Sequence, residues 1–255
     1  MGSATVLPGE DVSEIMKQIS KGNPKLGIGL RIENNSVFST VAGSLQYRSG
    51  IVFVNQNTRR YRPSVEDRVI AIVEERVAGD GAGGDVYRVN IGGPHPALLS
   101  NLSFEGATKR NKPALSSGML LYARVATCLR SMDPTLSCQL GSLDVGVPRK
   151  DWMTNEGTYG ELVSGTCCKI PIGLAPQLLE RGKVVLQELS KYLAFEICVG
   201  VNGKVWIHSS KPEHTILIQN AILNSEVLTE SQVRRMVKSL VETVNRKVED
   251  RDDEM

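Results

Sequence analysis

A dense group of chemistry-bearing side chains in this 255-residue sequence is Lys109, Arg110 and Lys112, three cations within four residues, with Glu105 close upstream. Contact with phosphate needs mobile cations and little else, so this spacing suits a polyanion. The bland alternative is a solubilising loop, or one that docks on a neighbouring protein. Arg88 and Arg124 lie on strand-like runs and extend the group into a basic groove if their side chains face it. Base stacking would need exposed rings, and aromatics make up only 5% of the chain. Tyr87 is placed either to stack a base or to fill a core, whereas Phe104 reads as core.

Other chemistries find no constellation. Metal-dependent hydrolysis needs converging carboxylates, but the acids are dispersed apart from short pairs such as Glu74-Glu75 and the acidic end from Glu249 to Glu254. No phosphate-binding P-loop pattern occurs. Cys167-Cys168 has no evident basic partner to activate a thiol. The cysteines at 128, 138, 167, 168 and 198 show no CxxC spacing, and His95, His208 and His214 are scattered. The expectation is a non-enzyme without metal or cofactor, carrying reduced thiols. A formal net charge of only +2 means that any nucleic-acid contact must come from local patches. No apolar run resembles a signal peptide or a membrane span.

Three segments must position these residues. Over 1–62, short apolar stretches (Gly29 to Glu33, Val37 to Val41, Ser44 to Arg48, Ile51 to Asn55) alternate with Asn and Gly turns, which predicts an antiparallel β-meander. Over 63–145, strand-like runs at Asp67 to Val77, Asp85 to Ile91, Ala97 to Leu102, Met119 to Leu129 and Leu136 to Leu143 predict a five-stranded OB-type barrel. A glycine-rich turn (Gly79 to Gly84) joins the first two, and the basic loop separates the third from the fourth.

Over 146–255 the elements mix. Glu161 to Ile170 reads as a strand, and Gly173 to Leu193 as two helices broken at Arg181-Gly182. A hairpin follows, then a helix opened by Pro212. The last helix carries a capping box, Thr229 with Gln232, and a staple, Leu228 with Val233. Its apolar stripe runs through Val233, Met236, Val237, Leu240, Val241 and Val244.

Gly200-Val201-Asn202-Gly203 matches the letters of the GxxG clamp of RNA-binding KH domains. That clamp joins two helices, whereas these residues lie between two strand-like runs, where Asn-Gly signals a hairpin. The expectation is a structural hairpin at Gly200, Asn202 and Gly203, with Trp206 beside it as an interdomain core residue.

Leu102-Ser103-Phe104-Glu105-Gly106-Ala107-Thr108-Lys109-Arg110-Asn111-Lys112-Pro113, Val6-Leu7-Pro8-Gly9-Glu10 and Gly200 to Ile207 fall in three separate segments. Together they resemble the cap subunits of the eukaryotic RNA exosome, in the exosome component 3 family. The resemblance implies an N-terminal β-domain, an S1-type OB barrel and a C-terminal KH-like α/β domain. It implies a place on a ring of RNase-PH-like subunits beside other cap subunits, in the nucleus, nucleolus and cytoplasm. Single-stranded RNA would pass to exoribonucleases that supply the catalysis. Two further readings are a free-standing S1/KH RNA-binding protein, and an architectural subunit that never touches RNA.

Overall fold

A computed structural model describes residues 4–19, 24–48, 50–55, 60–77, 84–129, 131–154, 156–179 and 184–252. The turn at 79–83, the Arg181-Gly182 break and the side chains of the acidic end lie outside the described residues. The chain divides into two compact units, 1–59 and 60–255.

The first unit holds β1 (Ala4–Val6), α1 (Ser13–Ile19), β2 (Lys25–Leu26), β3 (Leu30–Glu33), β4 (Ser36–Ser39), β5 (Gly43–Arg48) and β6 (Ile51–Asn55). Asn34 and Asn35 take φ of 47° and 67°, the positive-φ pair that lets a two-residue turn close the β3–β4 hairpin. The meander reading needs correction. Strands β1, β5 and β6 are antiparallel, but β2 runs parallel to β6, and α1 was not foreseen. At seven residues α1 is too short to display a clear period. Ile15, Met16 and Ile19 nevertheless pack on the buried cluster of Val6, Val12, Val37, Leu45, Val52 and Val54.

The second unit begins with the barrel: β7 (Arg68–Val77), β8 (Val86–Asn90), β9 (Ala97–Phe104), β10 (Leu120–Thr127) and β11 (Thr135–Cys138). Their order is β11-β9-β8-β7-β10, and a β10–β11 pairing closes the sheet. Closure removes exposed edges. Val69, Val89, Ile91, Leu99, Leu121 and Val125 fill the interior at 0% exposure.

The expected single strand from Glu161 to Ile170 splits in two. β12 (Gly160–Glu161) pairs with Leu121 and Tyr122 of the barrel. Ser164, at φ 61°, then turns the chain into β13 (Thr166–Lys169) of the next sheet. That sheet orders β13-β15-β14, with β14 at Phe195–Gly200 and β15 at Lys204–Ser209. Among the described residues four α-helices complete the unit: α2 (Leu174–Leu179), α3 (Val184–Leu189), α4 (Pro212–Asn224) and α5 (Glu230–Asp252). Their core includes Leu174, Leu189, Ile218 and Val237. At the start of α5 the Thr229 amide donates to Gln232 Oε1 at 2.9 Å, and the Thr229 hydroxyl turns to the same oxygen. Leu228 and Val233 both join the core, as a staple requires.

Candidate nucleic-acid interface

The basic loop leaves the barrel after Phe104, which is buried at 2% exposure. It is shaped by short bonds. The Thr108 amide donates to the Asn111 carbonyl at 2.7 Å, and the Asn111 amide donates to Thr108 Oγ1 at 3.1 Å. Lys109 and Arg110 are exposed, and neither has an ion pair among the described residues. Lys112 is held differently, its Nζ 3.2 Å from Asp85 Oδ2. Burial pushes the Asp85 carboxyl upward, but Lys112 and Arg76 outweigh it and hold it below the ordinary aspartate value. Lys112 thus fastens the base of the loop to the start of β8, and Lys109 and Arg110 stand free at its tip.

The other predicted site residues are placed elsewhere. Arg88 pairs with Glu75 across the β7–β8 ladder. Arg124 pairs with Glu66 at 3.0 Å, donates to the Gln139 carbonyl at 2.8 Å, and keeps a side chain only 15% exposed. It lies opposite Arg68, at the end of β7 away from Asp85 and Lys112. Tyr87, left open between core and stacking, is 5% exposed within the barrel core. Its ring is therefore not offered to a base. The alternation along β8 turns Tyr87 inward and Arg88 outward.

Sequence reasoning passed over the connection from β11 to β12. Its Trp152 amide donates to the Glu105 carbonyl at 3.0 Å. Gly106, at φ 76°, leaves room for Asp151, whose Cγ would lie 2.7 Å from a Cβ there. Asn111 Nδ2 donates to Met153 Sδ at 2.9 Å. The connection thereby brings Arg149 and Lys150 beside the basic loop. The run Arg149-Lys150-Asp151-Trp152, two cations and an indole, was the available signal.

The β14–β15 hairpin is built into the barrel. β8 pairs with β7 only as far as Ile72 opposite Asn90, so the free edge of β7 at Ile70 needs another partner. Asn202 supplies it. Its Oδ1 accepts from the Ile70 amide at 3.3 Å, and its Nδ2 donates to the carbonyls of Ile70 at 2.9 Å and Ile91 at 2.8 Å. Val201 adds a backbone bond to the Arg68 carbonyl at 2.8 Å. Lys204 Nζ reaches the Asn90 carbonyl at 3.1 Å, and burial lowers the pKa of that amine. Gly203 has φ 74°, and a Cβ at Gly200 would lie 2.8 Å from the Ile70 amide. Trp206, 5% exposed, packs into the barrel cluster although it belongs to β15.

A cleft of about 360 Å³ opens beside this junction, lined among others by Pro113, Leu115, Trp152, Tyr159, Glu161 and Glu196. At its edge Tyr159 donates to Asp144 Oδ2 at 3.0 Å, and Arg68 pairs with Asp144 at 2.7 Å.

Among the described residues no three His, Cys, Asp or Glu side chains converge on one point. Burial raises the thiol of Cys168 to about 11 and pushes Cys167 and Cys198 up, so these thiols stay protonated and weakly nucleophilic.

Comparison with known proteins agrees with this architecture. Residues 61–143 match the model described as the S1 domain of exosome complex component RRP40, and residues 165–213 match a KH domain. A putative exosome complex component rrp40 from Dictyostelium discoideum is 36% identical over 238 residues, covering 92% of both chains. The chain belongs to the RRP40 family of exosome complex components. The RRP40 proteins of Drosophila melanogaster and Homo sapiens are 34% and 31% identical, over 86% and 85% of this chain and 88% and 76% of their own lengths. A solved structure titled as a putative exosome complex RNA-binding protein superposes with a TM-score of 0.55 at 20% identity. It covers 74% of this chain and 99% of its own, and supports the fold of this RRP40-family chain.

Proposed function

We propose that this chain is a non-catalytic, RNA-binding cap subunit of an exosome, which steadies the ring of RNase-PH-like subunits and guides single-stranded RNA towards the pore. Separate exoribonucleases cut the RNA. The observation that carries the reading is the pair Lys109 and Arg110, exposed and without an ion pair among the described residues, on a loop whose base Lys112 ties to the barrel. Cations free of intramolecular partners contact phosphate without first breaking an ion pair. Arg88 and Arg124 already answer to carboxylates and serve as secondary contacts at most. The Asn202 hairpin and Trp206 act structurally, joining the KH domain to the barrel. The proposed division into an N-terminal β-domain, an S1 barrel and a KH domain gives the first and third the protein contacts, and the barrel the RNA.

Salt-dependent binding of single-stranded RNA tests this. Alanine at both Lys109 and Arg110 should reduce the log–log salt slope by about 1.4, at roughly 0.7 per phosphate contact. Stoichiometric recovery of ring and cap subunits with the tagged variant should be unchanged. An unaltered slope refutes guidance by this loop, and a chain recovered without ring subunits refutes the assembly.

A further inference from the structure

We propose that Trp152 is a stacking platform for a base of single-stranded RNA, presented beside the basic loop by the connection that carries Arg149 and Lys150. The inference rests on the RNA-binding reading above, and it assigns contact to a segment outside the loop and outside the barrel strands.

Position comes first. Loop and connection hold one another at three points: Trp152 on Glu105, Asp151 against Gly106, and Asn111 on Met153. Trp152 is only partly buried, and it lines the 360 Å³ cleft together with Pro113, Ala114 and Leu115, the residues that directly follow the basic loop. A strand whose phosphates meet Lys109 and Arg110 therefore passes this rim.

Chemistry comes second. Arg149 is 78% exposed and only loosely approached by Glu105, at 3.8 Å. Lys150 is 43% exposed and pairs with Glu156. Cations interleaved with an accessible ring are the combination by which single strands are bound without sequence preference, because every base has a π-face. The Trp152 indole N–H is buried and has no acceptor among the described residues. Packing alone fixes the ring, and no polar tie has to break when a base lands on it.

Glu161 and Glu196 also line the cleft. They make an arginine-bearing peptide the competing occupant, but Arg149 and Lys150 on the same connection, with Lys109 and Arg110 on the loop it is tied to, favour the polyanion.

The chain contains two tryptophans, and both line the cleft, so the part of an emission change that belongs to Trp152 is read by comparing the parent chain with Trp152→Phe. Titration of the full chain with an oligouridylate of about 10–16 nucleotides should quench emission saturably. Trp152→Phe should keep near-parental affinity and lose the quench. Trp152→Leu, which retains an apolar packing group, should weaken binding about 5- to 150-fold with the salt slope unchanged, as loss of one stacked base requires. RNA binding of normal salt dependence with no quench, and undiminished in Trp152→Leu, would overturn the platform and leave the RNA reading standing. Absence of any RNA binding by the parent chain sinks both. Quenching by an oligoarginine peptide but not by RNA also overturns the proposal and gives the cleft to a protein.

Discussion

Replacing Asn202 by alanine removes one small side chain and orphans three backbone groups in a buried junction: the Ile70 amide and the carbonyls of Ile70 and Ile91. Asn202 is 7% exposed, so water does not readily take its place. At about 1 kcal/mol for each neutral hydrogen bond lost, the barrel–KH unit should lose about 3 kcal/mol. With a urea dependence of about 2 kcal/mol per molar, the unfolding midpoint should fall by about 1.5 M. Tryptophan emission is the right probe, because Trp152 and Trp206 both lie in the second unit. Asn202→Asp sharpens the test. A carboxylate still accepts from the Ile70 amide, but it sets negative charge against two carbonyl oxygens that had received N–H donors. It should therefore cost more than alanine, despite its closer shape. An alanine variant within about 0.5 kcal/mol of the parent, or an aspartate variant more stable than the alanine one, would refute the claim that this carboxamide completes the edge of β7.

Two further outcomes follow from neighbouring geometry. Burial raises the Asp144 carboxyl, but the Gly141 amide, the Tyr159 hydroxyl and Arg68 outweigh it and hold it below 3.8. A depressed folded pKa gives stability that is present above the unfolded value and lost as pH falls through the folded one. Asp144→Asn should therefore cost about 1.5–3 kcal/mol at pH 7, as expected for bonds to a charged group, and the gap should close below about pH 4 in urea titrations. Separately, a Cβ on Gly165 would lie 2.1 Å from Trp206 Nε1. Gly165→Ala should destabilise the second unit by about 1–3 kcal/mol, the usual cost of overpacking, with a shift in Trp206 emission as the indole is displaced.

Local physics was legible in the sequence because its causes lie within a few residues. Asn34-Asn35 and Asn202-Gly203 close their hairpins through backbone conformations that those residue types reach cheaply. The five barrel strands show alternation or apolar runs bounded by turns. Pro212 and the Thr229–Gln232 pair mark helix starts through their own bonding limits. The free cations Lys109 and Arg110 were likewise visible as a cluster. Tertiary structure decided the rest, because pairing between distant segments leaves no local trace. Nothing near residue 202 announces that its carboxamide will finish a strand edge 132 positions away. Lys112, Arg88 and Arg124 look as free in the sequence as Lys109, yet Asp85, Glu75 and Glu66 claim them. Tyr87 faces inward because the barrel closes around it. Gly160–Glu161 joins the barrel because the edge of β10 is open to it there. Side-chain type set the available chemistry, and long-range packing decided which of those groups remain free to use it.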